Sequence, residues 1–411
     1  ESELALHERL PMAQKQKQLG YDDHPAFTYR VAEMLKEPTE KVWGYPYADI
    51  VMGCHMANPT NVFRAMAGEA PYPVKAFFCL GNNALLSYAN QHQIYQAMMN
   101  QELIVAHEIF MTPTAMLADY VLPGDVFTER NHVADSWSWT TRLTLSQKVV
   151  DAPAEASSTF QFWTDLAHRM GFAEEFPWQT LEDMLDYRLS RSGRTFADFE
   201  TATYMELEPP AFRKYRKTGF ATPSGKVELA SSILGDMGFD PVPYYRELPE
   251  RPEDYPYLIF TGVREDPFFQ TGQRNIESLR RRTPVPKLFL HPADAKKDGF
   301  SEGDWAKLST PKGSVLAQVA IRDTMKEGHV RVPHGWWYPE TRGQAELGGA
   351  FISSDAVLCS DEDEWLDHEQ GVPHFKGFPG KLEKASQPEH VTRIKPEDWK
   401  MDAAVEAHAG Q

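Results

Sequence analysis

Between Lys75 and Pro123 short apolar runs alternate with polar loops (KAFFCLGNNALLSYANQHQIYQAMMNQELIVAHEIFMTPTAMLADYVLP), predicting strand, loop, helix, strand, loop, helix and a final short strand. Ala76 to Leu80 has the length of a buried strand and stops at Gly81-Asn82-Asn83, residues that tolerate unusual backbone angles and hydrogen-bond locally. Leu103 to Ala106 is a second strand, ending at His107-Glu108. Met111-Thr112-Pro113-Thr114 then predicts a helix start, with Thr112 as N-cap and Pro113 in the first helical position. Both loops fall at the carboxyl ends of strands, the edge where open α/β sheets bind nucleotides. Any βαβ unit has such loops, so the pattern alone leaves a bound nucleotide and plain connection both open.

Upstream, Phe27 to Lys36 and Asn61 to Ala67 are amphipathic and predict helices covering a sheet that begins at Val74. Downstream, Asp125 to Val150 is rich in Trp, Ser and Thr, and Trp137 and Trp139 either line a cleft or anchor packing. Phe160, Trp163, Leu166, Ala167 and Met170 repeat at helical spacing up to Gly171, and Leu181 to Leu189 is a second helix; both are assigned to the outer layer of the α/β domain. Asp198 to Glu206 is ambiguous, and Lys226 to Leu229 alternates like a half-buried strand. The five prolines of Pro241 to Pro256 mark the best domain boundary. We therefore divide the chain into an α/β domain (1–245), a β domain (246–395) and a tail (396–411).

Past that boundary the texture is β. Tyr257 to Phe260 and Lys287 to Leu290 read as strands, Trp305 to Ser309 and Ser314 to Ile321 as a hairpin about Pro311-Lys312-Gly313, and Gly328 to Val332 as a further strand. With a helix over His291 to Gly299, this predicts a small barrel. After Tyr338 the chain reads as loop, the acidic run Asp361 to Glu364 as a solvated face, and Lys395 to Gln411 as a surface or frayed tail.

Composition narrows the function. A formal charge of −17 over 411 residues argues against nucleic acid as partner, and Arg280-Arg281-Arg282 is too short a basic run to reverse that. No apolar run approaches the roughly 20 residues of a membrane-spanning helix. Cys54, Cys79 and Cys359 form no CxxC pair, imply no disulfide framework and are too few for an iron–sulfur cluster. The first residue is Glu1, which suggests that an amino-terminal piece, with any targeting signal, precedes it; the compartment is left unassigned.

Four segments in order carry a family likeness: PYPVKAFFCLGNNALLS; LIVAHEIFMTPTAMLADYVLP; QKVVDAPAEASSTFQFWTDLAHRMG with TPSGKVEL; and the region from YLIFTGVRED through RNIESLRRRTP and HPADAKKDGFSEGDWAKLSTPKGSVLAQV to VPHGWW. Over about Leu4 to Leu382 the chain resembles the carboxyl-terminal half of the catalytic subunits of molybdopterin oxidoreductases, the dimethyl sulfoxide reductase family. RNIESLRRRTP with HGWWYPE leans toward the thiosulfate/polysulfide reductase and acetylene hydratase-like branch.

The resemblance implies an open α/β sheet domain followed by a double-psi β-barrel, and between them a bis-(molybdopterin guanine dinucleotide) carrying molybdenum or tungsten. It places Gly81, Asn82, Asn83, Glu108 and Thr112 at one guanosine end, and Thr261, Gly262, Arg264, Thr271, Arg274, His334, Gly335 and Trp336 on the barrel side. Chemistry agrees: a carboxylate accepts both N–H donors of a guanine edge, and a guanidinium pairs with phosphate oxygens. Departures are Ala84 in place of proline, Gln270-Thr271-Gly272 in place of His-Ser-Gln, and no asparagine near Ser354 or Asp355. Nothing matches the family's metal-bound residue or its 4Fe-4S cysteines, which implies that both belong to a missing amino-terminal half. Expected partners are that half, an iron–sulfur electron-transfer subunit and a small-molecule substrate of two-electron redox or atom-transfer chemistry. The alternatives are a separate, non-catalytic dinucleotide-binding subunit and a cofactor-free structural partner.

Overall fold

The computed structural model describes residues 19–44, 57–68, 72–135, 142–199, 202, 204–206, 211–245, 248, 252–340 and 346–392. Cys54, Trp137, Trp139 and the tail from Lys395 lie outside them.

Strands β1 (Ala76–Leu80), β2 (Leu103–Glu108) and β3 (Tyr120–Pro123) form a parallel sheet in that order. Ile104, Val105 and Ala106 of β2 are buried on both faces, as parallel strands between helices must be. Alternate side chains of β1 serve opposite faces. Phe77 packs into the core of helices Pro59–Met66 and Gln91–Met99, while Phe78 meets Phe162 and Trp163 of helix Thr159–Arg169.

The helix predicted from Thr112 is only a single 3₁₀ turn, Ala115–Leu117, although the Thr112 hydroxyl does accept from Ala115 N (3.2 Å) at its start. Two ties shorten it. The Thr114 hydroxyl donates to Asn83 Oδ1 (2.8 Å), and Asp119 Oδ2 accepts from Ile104 N (2.7 Å), drawing the chain at once into β3.

Strands β4 (His132–Asp135), β5 (Arg142–Ser146) and β6 (Tyr204–Glu206) make a small antiparallel sheet. Helix Leu181–Leu189, closed by a Thr180–Asp183 capping box, packs Leu185 and Leu189 against this sheet and so does not join the outer layer of the parallel one. No strand forms at Lys226 to Leu229. Val227 and Leu229 are exposed, and Glu228 caps local turns through Ser224 N (3.1 Å) and Ser232 N (3.0 Å), so the alternation there reflects turn chemistry.

Strands β7 (Tyr257–Val263), β8 (Lys287–Leu290), β9 (Trp305–Ser309), β10 (Ser314–Ile321), β11 (His329–Pro333) and β12 (Lys376–Ala385) close into a barrel ordered β10-β8-β11-β7-β12-β9 around Ile259, Leu288, Leu308, Val319 and Val330. The sequence reading missed β12, because Gly377, Pro379 and Gly380 look like breakers. Here they are needed: Gly377 (φ +86°) sits where the register with β7 shifts, and a Cβ on Gly380 would run into Ile259.

Strands β7 and β11 are parallel, so their exits open at one end of the barrel, the mouth. Helix Ala84–Ser87, which follows Gly81-Asn82-Asn83, packs on the turn Asp355–Val357 at this mouth. Asn90 Nδ2 donates to Asp361 Oδ1 (2.7 Å) and Arg64 Nη2 to Asp361 O (2.9 Å), so Asp361 is buried in a seam rather than part of a solvated face. The segment before the sheet also turns toward the barrel side: Ala26 N donates to Glu369 O (3.0 Å) and Asn58 Nδ2 to Gln370 O (2.7 Å).

Candidate cofactor site

On the sheet edge, Gly81 takes φ +60° with open space where a Cβ would stand, and its N–H donates to His107 O (2.9 Å), joining the first loop to the second. Asn82 is exposed, and its carbonyl accepts from the Cys79 thiol (2.7 Å). Burial pushes that thiol up to about 11, so it stays protonated. Asn83 is buried; its Oδ1 accepts from Thr114, while its Nδ2 is a buried donor with no partner. Glu108 Oε1 accepts from Ile109 N (2.9 Å). Burial raises the Glu108 carboxyl, against the backbone donors of Ile109 and Phe110, which favour the anion. Thr112 is half-buried and faces its own turn.

At the mouth, Gly262 is exposed with φ +68° and donates its N–H to Asp355 Oδ2 (2.9 Å). Asp355 Oδ1 accepts from Gly335 N (2.7 Å), and His334 Nδ1 lies 3.1–3.2 Å from both carboxylate oxygens. One buried carboxylate thus ties three chain segments. Gly335 has no room for a side chain, since a Cβ would run into Thr271, whose carbonyl accepts from Trp337 Nε1 (3.1 Å). Arg264 is exposed, its guanidinium 4.7 Å from the Phe269 ring centre.

Three predicted contacts turn inward. Thr261 is fully buried, and its hydroxyl donates to Phe375 O (2.8 Å). Arg274, also buried, donates to Gln270 O (2.6 Å) and His334 O (2.8 Å) and so clamps two mouth loops instead of facing an anion. Burial, with Arg280 nearby, lowers it to about 9. Trp336 lies buried between the Arg274 and Arg280 guanidiniums (5.0 and 4.8 Å), a pillar beneath the mouth. Arg280, first of the basic run, is itself buried and paired with Glu340 (3.0 Å).

Sequence reasoning missed Asp355 and Glu265. Asp355 stands where asparagine was expected, and its carboxylate takes three donors from two other segments, Gly262 and His334-Gly335, which only the fold reveals. Burial pushes Glu265 up to about 7, against the pull of Arg274, Arg331 and Lys287. Among the described residues no group of three or more His, Cys, Asp or Glu is placed to hold a metal, and no helix is long and apolar enough to cross a membrane.

Two family models match in chain order. Residues 42–169 match the model described as molybdopterin oxidoreductase, and residues 258–378 the molydopterin dinucleotide binding domain. The chain belongs to the molybdopterin oxidoreductase family. Among curated relatives, the acetylene hydratase of Syntrophotalea acetylenica is 43% identical over 394 residues, covering 93% of this chain and 53% of its own length. The trimethylamine-N-oxide reductase of Haemophilus influenzae is 26% identical over 345 residues (75% and 41%). The thiosulfate reductase molybdopterin-containing subunit PhsA of Salmonella typhimurium is 25% identical over 289 residues (62% and 38%). The solved acetylene hydratase from Pelobacter acetylenicus superposes with a TM-score of 0.88 at 40% identity, covering 93% of this chain and 54% of that one. The chain spans about half the length of the relatives it matches. Both matched regions of this molybdopterin-family chain contain a loop group described above, and helix Ala84–Ser87 brings the two groups to one junction.

Proposed function

We propose that this chain holds the dinucleotide ends of a bis-(molybdopterin guanine dinucleotide) for a molybdenum or tungsten enzyme of the acetylene hydratase-like branch. The observation that carries the reading is the 43% identity to acetylene hydratase across 93% of the chain. The donor set fits such a ligand. Asn83 Nδ2 is a buried donor without a partner, Gly81 leaves backbone open to close approach, and Glu108 supplies a carboxylate for the N–H edge of guanine. On the barrel side Gly262, Arg264 and the His334 ring line the mouth, while Thr271, Arg274, Gly335 and Trp336 support it from beneath.

The cofactor would supply the metal and its dithiolene sulfurs; the chain supplies position and charge. In this reading the residue on the metal and the iron–sulfur ligands come from polypeptide beyond these 411 residues, in keeping with the 53% share of the hydratase that is matched. The reaction is then the redox-neutral addition of water to acetylene, giving acetaldehyde. The second reading is two-electron redox or atom transfer, favoured by the trimethylamine-N-oxide and thiosulfate reductases among the relatives. In that case an iron–sulfur subunit would be the partner.

Metal and nucleotide analysis of the natively purified protein tests the cofactor reading: molybdenum or tungsten with about two guanine nucleotides per metal is expected, and absence of both would sink it. Acetaldehyde formed from acetylene with no net electron transfer separates the hydratase from the redox reading.

A further inference from the structure

Asp355 is 1% exposed and bound on both oxygens: Gly262 N at 2.9 Å on Oδ2, Gly335 N at 2.7 Å on Oδ1, and His334 Nδ1 within 3.2 Å of either. Two backbone donors from different loops fix the carboxylate, and it in turn fixes the ring plane of His334. The far ring nitrogen, Nε2, makes no hydrogen bond to any described residue and is not among the buried unpartnered atoms, and the His334 side chain keeps 11% of its surface open at the mouth. The charged groups bearing on the ring are Asp355, from the turn on one side, and Arg274, from the loop whose guanidinium donates to His334 O (2.8 Å).

A histidine with one nitrogen on a buried carboxylate has its other nitrogen aimed and its charge state biased. We propose that Asp355 is a positioning residue that presents His334 as a cation, its Nε2–H being the donor with which the barrel mouth takes a phosphate-class anion. That anion being a cofactor pyrophosphate rests on the function proposed above; the dyad itself does not. The electrostatics agree in direction. Burial disfavours the imidazolium, but the Asp355 charge and hydrogen bond outweigh it and the opposing Arg274, leaving His334 raised above the ordinary histidine value.

The test uses the purified chain with ¹⁵N-labelled histidine, inorganic pyrophosphate as the probe, and H334Q to assign the ring resonances. The His334 midpoint should lie above about 6.5. D355N should lower it, and pyrophosphate should raise it in the unsubstituted protein. H334Q should weaken pyrophosphate binding by about 10-fold at pH 6, with the ratio approaching one at high pH, because a charge-assisted donor is lost only where it was protonated. A midpoint at or below about 6.5, no response to D355N, or no coupling to pyrophosphate overturns the proposal. D355N disturbs loop contacts, so its fold is checked by thermal melting; H334Q leaves Gly262 and Gly335 on Asp355, and the anion arm is read from it alone. Pterin dinucleotide in the native protein with an unmoved His334 midpoint would overturn the dyad and leave the cofactor reading. Pyrophosphate coupling in a protein that never carries pterin would do the reverse.

Discussion

The sheet-edge loops and the barrel mouth reach the same junction by opposite means. At the sheet edge the loops are held by neutral contacts, chiefly Asn83 with Thr114, and Gly81, Asn82 and Glu108 stay partly or fully open. At the mouth, buried charges do the holding: Asp355 gathers Gly262, His334 and Gly335, and Arg274 joins the 270–272 and 334 carbonyls. The lesson is that one side is shaped before any ligand arrives, while the other keeps an unpaired donor, Asn83 Nδ2, and a partly open carboxylate, Glu108, for a ligand to complete.

The hardest blow to this contrast would be struck at Asp355. Asp355→Ala leaves the buried Gly335 N–H, the Gly262 N–H and the His334 ring without their acceptor, and should cost about 3–5 kcal/mol in urea unfolding. A loss below about 1 kcal/mol would show that the mouth is not organised by charge. On the other side, Asn83→Ala removes the acceptor of Thr114 but also an unpaired donor, so a smaller loss of about 1–2 kcal/mol is expected. A loss equal to that of Asp355→Ala would erase the distinction.

Acidity offers a subtler probe. Burial raises Glu265 to about 7, so the fold favours its protonated form. The stability this brings is complete below the unfolded value of about 4.3 and is lost as the pH climbs through about 7. His334, also raised, acts in the same direction at its own midpoint. Melting temperature should therefore fall across this window, and Glu265→Gln should flatten the fall; an unchanged slope would place the proton elsewhere. Smallest in stability is Glu108→Gln, expected within about 0.5 kcal/mol of the unsubstituted protein because Glu108 is not a structural tie. Its effect should appear instead as about 10-fold weaker binding of guanosine monophosphate by calorimetry, with adenosine monophosphate unaffected.

Much of this was legible in the chain. The strands at Ala76, Leu103, Tyr257, Lys287, Trp305 and Ser314 and the loops after them follow from run length, alternation and turn residues. What escaped was set by tertiary context. β12 hid behind Gly377, Pro379 and Gly380, whose small or imino character suits a register shift and close packing on Ile259. Arg274 read as a phosphate ligand because charge is visible in sequence and burial is not; its surroundings are Phe268, Trp336 and loop carbonyls. Asp355 looked like a missing asparagine until the Gly262 and His334-Gly335 loops were seen to converge on it.

The position of β12 has a consequence for how the chain is made. It is the last strand of the barrel in sequence, and it seals the gap between β7 and β9. A ribosome that has delivered Pro333 has supplied five of the six strands, yet β7 and β9 each still show a bare edge. At about 5–20 residues per second, several seconds pass before Ala385 is added. During that interval the nascent barrel is an open sheet with two sticky margins, the stage at which a chaperone would matter most.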